Sequence, residues 1–170
     1  MLKPPAPDPA ALTWRCCAFG ELSVYELQAI YALRQLVFIV EQQCPYLDAD
    51  AFDCDSLHLA AWAHPAPRQG QPVPDLPVAY ARLVPPALKY AEPSIGRVVT
   101  ASAARGTGLG RVLTRRAIVE TQRAFPGRPI RISAQSRLEA FYAGQGFAVV
   151  GEQYLEDGIP HTEMLLASAG

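Results

Sequence analysis

The stretch RGTGLG at residues 105–110 is the tightest constraint on how this chain folds. A strand-like run, IGRVVTA, precedes it, and an amphipathic pattern resumes directly after it. Glycine takes up positive φ without steric cost and lets a ligand approach the main chain closely. A strand must therefore end here, turn sharply and give way to a helix. Gly106 and Gly108 supply the turn, and Gly110 is expected to let the new helix pack tightly against the strand. The amides of residues 106–111 then stand free at a helix start, which carries roughly half a positive charge. Such an arrangement cradles phosphate. It is not a P-loop, because no Gly-Lys-Ser/Thr follows. It is not the dinucleotide fingerprint either, because the glycines fall at 106, 108 and 110. On the glycines alone, a tight turn without a ligand explains the pattern equally well.

The surrounding pattern sets the architecture. LTWRCCAF (12–19) reads as a first strand. Ser23 and Glu26 form a capping box for a helix whose inner face carries Leu27, Ile30, Tyr31 and Leu33. Periodicity blurs after Leu36, and VFIVEQQCPYLDADAFDCDS predicts a short second helix or a folded loop. LHLAAWA (57–63), VAYARLVP (78–85) and IGRVVTA (95–101) are strands, the first two joined by a proline-rich surface loop at 64–77. Beyond the glycines, Leu109, Val112, Leu113, Ala117 and Ala124 mark one helix face, and FPG (125–127) stops that helix. PIRISA is a strand. Ser136 and Glu139 predict a second capping box, with Leu138, Phe141 and Tyr142 on the inner face and Gly146 closing the helix. The last segment gives two strands around an EDG turn. The expected fold class is α/β (α+β), with a mixed, mostly antiparallel central sheet of six to seven strands flanked by about four helices. The expected organisation is a flexible tail over residues 1–11 and one domain over 12–168.

Composition narrows the function classes. A net charge of −1 argues against a generalised nucleic-acid or membrane surface, since either needs a basic excess. No apolar run reaches the roughly 18–20 residues that span a bilayer. Cys16, Cys17, Cys44 and Cys54 show no C-x-x-C spacing, and no apolar leader follows Lys3. Reduced thiols in a cytoplasmic protein are expected.

Two further segments carry a resemblance. Arg105, Gly108 and Gly110 stand as R-x-x-G-x-G, which resembles the acyl-CoA pyrophosphate loop of the GNAT superfamily of N-acetyltransferases. Downstream, AQSRLEAFYAGQGF is similar to that superfamily's segment with a tyrosine four residues before Gly-Phe, here Tyr142 before Gly146 and Phe147. LRQLVFIVEQQCPYLDADAFDCDSLHL and DGIPHTEM resemble the ElaA-like subgroup. Ser102 stands where many members have proline, and Gln135 where many have asparagine facing the cofactor arm. The resemblance implies the acyl-CoA N-acyltransferase (GNAT) fold. It implies direct transfer of acetyl from acetyl-CoA to a primary amine of a small molecule or peptide, with room left for a homodimer.

Physical chemistry assigns the roles that this chemistry needs. Gly106, Thr107, Gly108, Leu109, Gly110 and Arg111 would present amides to the pyrophosphate, with Arg105 and Arg111 adding charge. Val98 and Val99 would pair with the amide-rich pantetheine arm as a strand adds to a sheet edge. A main-chain N–H there would also polarise the thioester carbonyl. Tyr142 is the candidate general acid for the departing thiolate, against a plain core aromatic. Glu41 is the first candidate base. It follows the apolar run LVFIV, where a carboxylate would be partly desolvated and its pKa raised. His161 is the next candidate and, with Gln42 and Gln43, could meet the acceptor; imidazole titrates near ~6.5. His58 and His64 are expected to be structural or exposed. Asp48, Asp50, Asp53 and Asp55 do not match a calcium loop, lacking its glycine and terminal glutamate. No metal site is expected, and the group reads either as a solvated loop or as an attractor for a cationic acceptor. The alternatives are a non-catalytic acyl-CoA binding module and an acyltransferase using longer acyl chains.

Overall fold

The computed structural model describes residues 11–64 and 75–168. The proline-rich tail up to residue 10, and most of the loop expected at 64–77, lie outside them. Among the described residues, seven strands make one sheet: β1 (Thr13–Ala18), β2 (Leu57–Ala63), β3 (Leu76–Val84), β4 (Ser94–Thr100), β5 (Ile130–Gln135), β6 (Ala148–Glu156) and β7 (Ile159–Leu166). Their spatial order is β1-β2-β3-β4-β5-β7-β6. Every neighbouring pair is antiparallel except β4–β5, which is parallel and joined at a single rung, Ser94 to Arg131.

Four α-helices of the described residues flank the sheet: α1 (Val24–Gln35), α2 (Phe52–Asp55), α3 (Leu109–Ala124) and α4 (Glu139–Ala143). The α1 capping box forms as expected: Ser23 Oγ accepts from Glu26 N–H and the Glu26 carboxylate accepts from Ser23 N–H. The chain then widens into a π-helical turn over Leu36–Glu41, where Gln42 N–H reaches back five residues to the Val37 carbonyl. α3 ends at Ala124 with Phe125 as its cap, where FPG predicts the stop.

The predicted Ser136–Glu139 box does not form. Thr162 on β7 binds both side chains: Ser136 Oγ lies 2.9 Å from its hydroxyl, and the Glu139 carboxylate accepts from it. A 3₁₀ turn over Ser136–Leu138 therefore precedes α4. Gly146 does take a left-handed φ of +98°, two residues past the α4 cap.

Each sheet face has its own core. α3 lays Leu109, Leu113 and Ala117 against Ala81, Leu83, Ile95 and Ile132. Fully burying a leucine or isoleucine there contributes about 1.5–3 kcal/mol. On the other face α1 lays Ile30 and Leu33, and the π-helical turn after it lays Val37, against Ala60, Trp62, Tyr80 and Val99. That cover extends over β2–β4. Ile132 and Ala134 of β5 belong to the α3-side core, so strand alternation turns Arg131, Ser133 and Gln135 to the α1 side, beyond the reach of α1.

The acidic segment is neither solvated nor free. Arg34, wholly buried, donates to Asp48 Oδ2 at 2.9 Å and Asp53 Oδ1 at 2.8 Å. Arg82 on β3 donates to Asp53 Oδ1 at 2.8 Å and Asp50 Oδ2 at 3.0 Å. Arg97 on β4 joins through Asp48 and Asp50. Three arginines thus neutralise three aspartates and fasten the 48–53 segment onto β3 and β4. Only Asp55 of the group is exposed. Burial pushes the Asp53 carboxyl up, but the Arg34 and Arg82 guanidiniums outweigh it and hold it down to about 2. His58 is buried beside this network, its ring nitrogens 2.8 Å from the Tyr80 hydroxyl and 2.9 Å from the Asp53 carbonyl. It is a structural group, and burial lowers its pKa.

Candidate active site

With one rung between them, β4 and β5 separate towards their C-terminal ends, and a cleft of about 880 Å³ opens in the gap. Val98, Val99, Thr100, Arg105, Tyr142 and His161 are among its lining residues. Glu41, Gln42 and Gln135 line it too. Sequence reasoning placed all nine at the site, except Thr100.

The glycine turn lies at the cleft's edge. Gly106 and Gly108 have φ of +83° and +85°, and a Cβ at either would meet open space. The backbone angle, rather than crowding, is what requires glycine at both. The expected reason for Gly110 does not hold. A Cβ there would meet only the Phe141 ring, at an ordinary 3.9 Å, and no strand. The amides divide into two groups. Arg111 N–H is taken by the Gly108 carbonyl at 3.0 Å, and Leu109 N–H makes a long contact of 3.4 Å to Thr107 Oγ1. Among the described residues, the N–H groups of Gly106, Thr107, Gly108 and Gly110 have no acceptor. Arg111 therefore brings only its exposed side chain.

Main-chain direction on β4 corrects one expectation. Ala101 N–H bonds the Val78 carbonyl at 2.8 Å, and Val99 pairs with Tyr80 in the same register. Alternation then points the Val99 backbone at β3 and leaves Val98 and Thr100 facing the gap. Val99 contributes its side chain to the α1-side core instead. A register shift opposite Ala81 marks a bulge at Arg97 and Val98. Arg97 there has φ of +52°.

Tyr142 is 7% exposed, held between Phe141 and Phe147 in edge-on contacts at 5.1 and 6.0 Å. It is both a core aromatic and part of the cleft wall. Burial pushes its hydroxyl up to about 12. Glu41 does not meet the desolvation expected of it. It is an exposed residue, and its carboxylate is 2.5 Å from the Arg105 guanidinium. Arg105 Nε also donates to the Thr100 carbonyl at 3.2 Å, so this side chain folds back across the cleft mouth. Gln135 donates to Gln42 at 3.2 Å, linking β5 to the segment after α1. Cys44 Sγ donates to the Asp157 carbonyl at 3.3 Å, tying that segment to the β6–β7 turn. His161 Nδ1 lies 2.8 Å from the Ile159 carbonyl, which can only accept. Nδ1 is therefore the donor in this contact, and in the neutral ring the lone pair lies on Nε2.

Sequence reasoning missed the far end of the cleft. Ser133 Oγ lies 2.5 Å from the Tyr154 hydroxyl and donates to Glu156 at 2.8 Å. Tyr90 joins them beside Lys89. The strand alternation of β5 was the available signal, since it sets Ser133 and Gln135 on one face.

The comparisons with known proteins agree with this geometry. Residues 79–168 match the family model described as an acetyltransferase (GNAT) domain. A Synechocystis protein named UPF0039 protein sll0451 is 42% identical over 154 residues, covering 91% of this chain and 94% of its own. A solved acyl-CoA N-acyltransferase from Pseudomonas aeruginosa superposes with a TM-score of 0.80 at 44% identity, covering 92% and 99%. Escherichia coli ElaA superposes with a TM-score of 0.78 at 35% identity, covering 91% and 99%. The splayed strands, the glycine turn and these matches coincide: the chain belongs to the GNAT acetyltransferase family, on its ElaA-like branch, and is an acyl-CoA-dependent N-acyltransferase.

Proposed function

We propose that the protein transfers the acetyl group of acetyl-CoA to a primary amine of a small molecule or peptide. The observation that supports this most is the β4–β5 gap opening beside four amides without protein acceptors. The N–H groups of Gly106, Thr107, Gly108 and Gly110 take the diphosphate, with Arg105 as the charged partner once it leaves Glu41. The pantetheine arm pairs with the Val98 and Thr100 main chain, and Gln135 stands beside it. The Val98 N–H, at the bulge, faces the thioester carbonyl and stabilises charge developing on its oxygen.

Tyr142 acts on the sulfur. With its hydroxyl at about 12 and a thiol near ~8.5, full proton transfer is uphill by roughly 3.5 units, or about 5 kcal/mol. A neutral hydrogen bond to the departing thiolate is therefore the cheaper role. The attacking amine must first lose a proton. His161 Nε2 suits that task, because the Ile159 carbonyl fixes its tautomer and the ring borders the cleft. Glu41 suits it less while Arg105 holds its carboxylate. Gln42, which lines the cleft, would hydrogen-bond the acceptor.

The test is thiol release from acetyl-, propionyl- and butyryl-CoA across polyamines, amino acids, aminoglycosides and peptides. Acetyl-CoA consumed fastest with one amine class is the expected result. Binding of coenzyme A without amine-dependent thiol release would overturn the reading, and a faster longer chain would replace its acetyl part.

A further inference from the structure

The β4 bulge is built on a residue that backbone sterics disfavour. Arg97 has φ of +52°, a region few non-glycine residues occupy. Glycine would take that angle freely, so the arginine side chain has to hold it. Its Nε lies 2.8 Å from Asp48 Oδ1, a charge contact not aligned as a hydrogen bond. Its Nη2 donates to Asp50 Oδ2 and to the Asp48 carbonyl, each at 3.2 Å. The guanidinium also lies 5.3 Å over the Tyr46 ring. The anchors are themselves fixed. Asp48 is buried and held by Arg34 on α1, and Asp50 is held by Arg82 on β3. The clamp thus joins the bulge to α1 and β3.

The clamp stands where register decides chemistry. Pairing changes from Arg82–Gly96 to Tyr80–Val99 across Arg97 and Val98. Bulges re-aim groups in this way, and a one-residue slip exchanges the two sides of a strand. We infer that Arg97 is a positioning residue, whose ion pairs with Asp48 and Asp50 hold the bulge so that the Val98 N–H faces the donor's thioester carbonyl. This rests on the acyl-transfer reading above. The acidic segment then acts on the reaction through Arg97, not by attracting the amine.

Arg97→Gly removes the clamp and accepts the backbone angle at once, which separates positioning from relief of strain. The measurements are thermal unfolding, calorimetric binding of acetyl-CoA, and isotope-edited infrared spectra of bound acetyl-CoA carrying ¹³C at the thioester carbonyl. Turnover is followed with the best amine from the screen. Wild type should lower the carbonyl frequency on binding. Arg97→Gly should stay folded and bind acetyl-CoA within about threefold. It should lose most of the frequency shift, and its kcat should fall ~10–100-fold with KM for acetyl-CoA little changed, short of the ~100–1,000-fold that outright loss of one oxyanion donor costs. Arg97→Lys keeps the charge without the fork and should lie between; it carries the test if Arg97→Gly does not fold. A full carbonyl shift and wild-type kcat in either folded variant would overturn the inference alone. Wild type that binds no acetyl-CoA would overturn the acyl-donor reading beneath it.

Discussion

Two arginine–carboxylate clusters differ in depth, and burial separates their roles. Arg34 is sealed between Asp48 and Asp53 with no solvent exposure, whereas the Arg105 side chain is 44% exposed beside Glu41. Opening the first leaves a bare charge in the interior. Opening the second merely returns two charges to water. The first is a fastener for the 48–53 segment. In the proposed function, the second is a pair that an incoming diphosphate would replace at small cost.

The largest effect should come from breaking the buried cluster. Asp53→Asn leaves Arg34 and Arg82 facing an uncharged partner, and removing one member of a buried pair costs about 3–5 kcal/mol. Chemical denaturation should show that loss with an unchanged slope. If Asp53→Asn unfolds like wild type, the two clusters are equivalent and the comparison fails. The same carboxyl sets an acid limit. Its folded value near 2 is below its ordinary 3.8, so its contribution is complete above about pH 4 and disappears as pH falls towards 2. Acid titration followed by circular dichroism should place that loss in this window for wild type and abolish it in Asp53→Asn.

Next in size is Tyr142→Phe. The ring contacts with Phe141 and Phe147 survive, so stability should hold while kcat drops ~10–100-fold. Because the hydroxyl sits near 12, it stays protonated through the working range, and the drop should be the same from pH 6 to pH 10. A defect that grows towards high pH would argue for a titrating role instead. Gly108→Ala should follow, destabilising the turn by about 1–2 kcal/mol through its left-handed angle and weakening coenzyme A binding by calorimetry. The smallest effect belongs to the exposed pair. Glu41→Gln should change stability by less than about 1 kcal/mol and tighten coenzyme A binding a few-fold by freeing Arg105. Weaker binding would show that Glu41 orients Arg105 for the ligand rather than standing in its place.

What the sequence revealed follows the range of the interactions involved. The Ser23–Glu26 box, the FPG stop and the positive angles at Gly106 and Gly108 are local, and each was legible. The Ser136–Glu139 box has the same local signature and failed, because Thr162 outbids the backbone for both side chains. The aspartates were misread for a related reason. Their partners, Arg34, Arg82 and Arg97, come from three different elements, and spacing within the segment carries no trace of them. Val98 and Val99 were assigned to the donor together because β4 reads as an unbroken strand. Alternation sends their backbones in opposite directions, and which of the two faces the gap depends on the register with β3, which spacing within β4 does not carry.

The widened turn at Leu36–Glu41 gives the helix one more residue than an ordinary coil needs to complete that turn. Deleting a single position there, Phe38 for example, would restore four-residue spacing and leave the direction of the chain after it little changed, because the extra residue is what the wider turn absorbs. The change would fall on the turn itself, whose Val37, Phe38 and Glu41 all line the cleft. One residue more or less thus alters the cleft wall there while the sheet stays untouched.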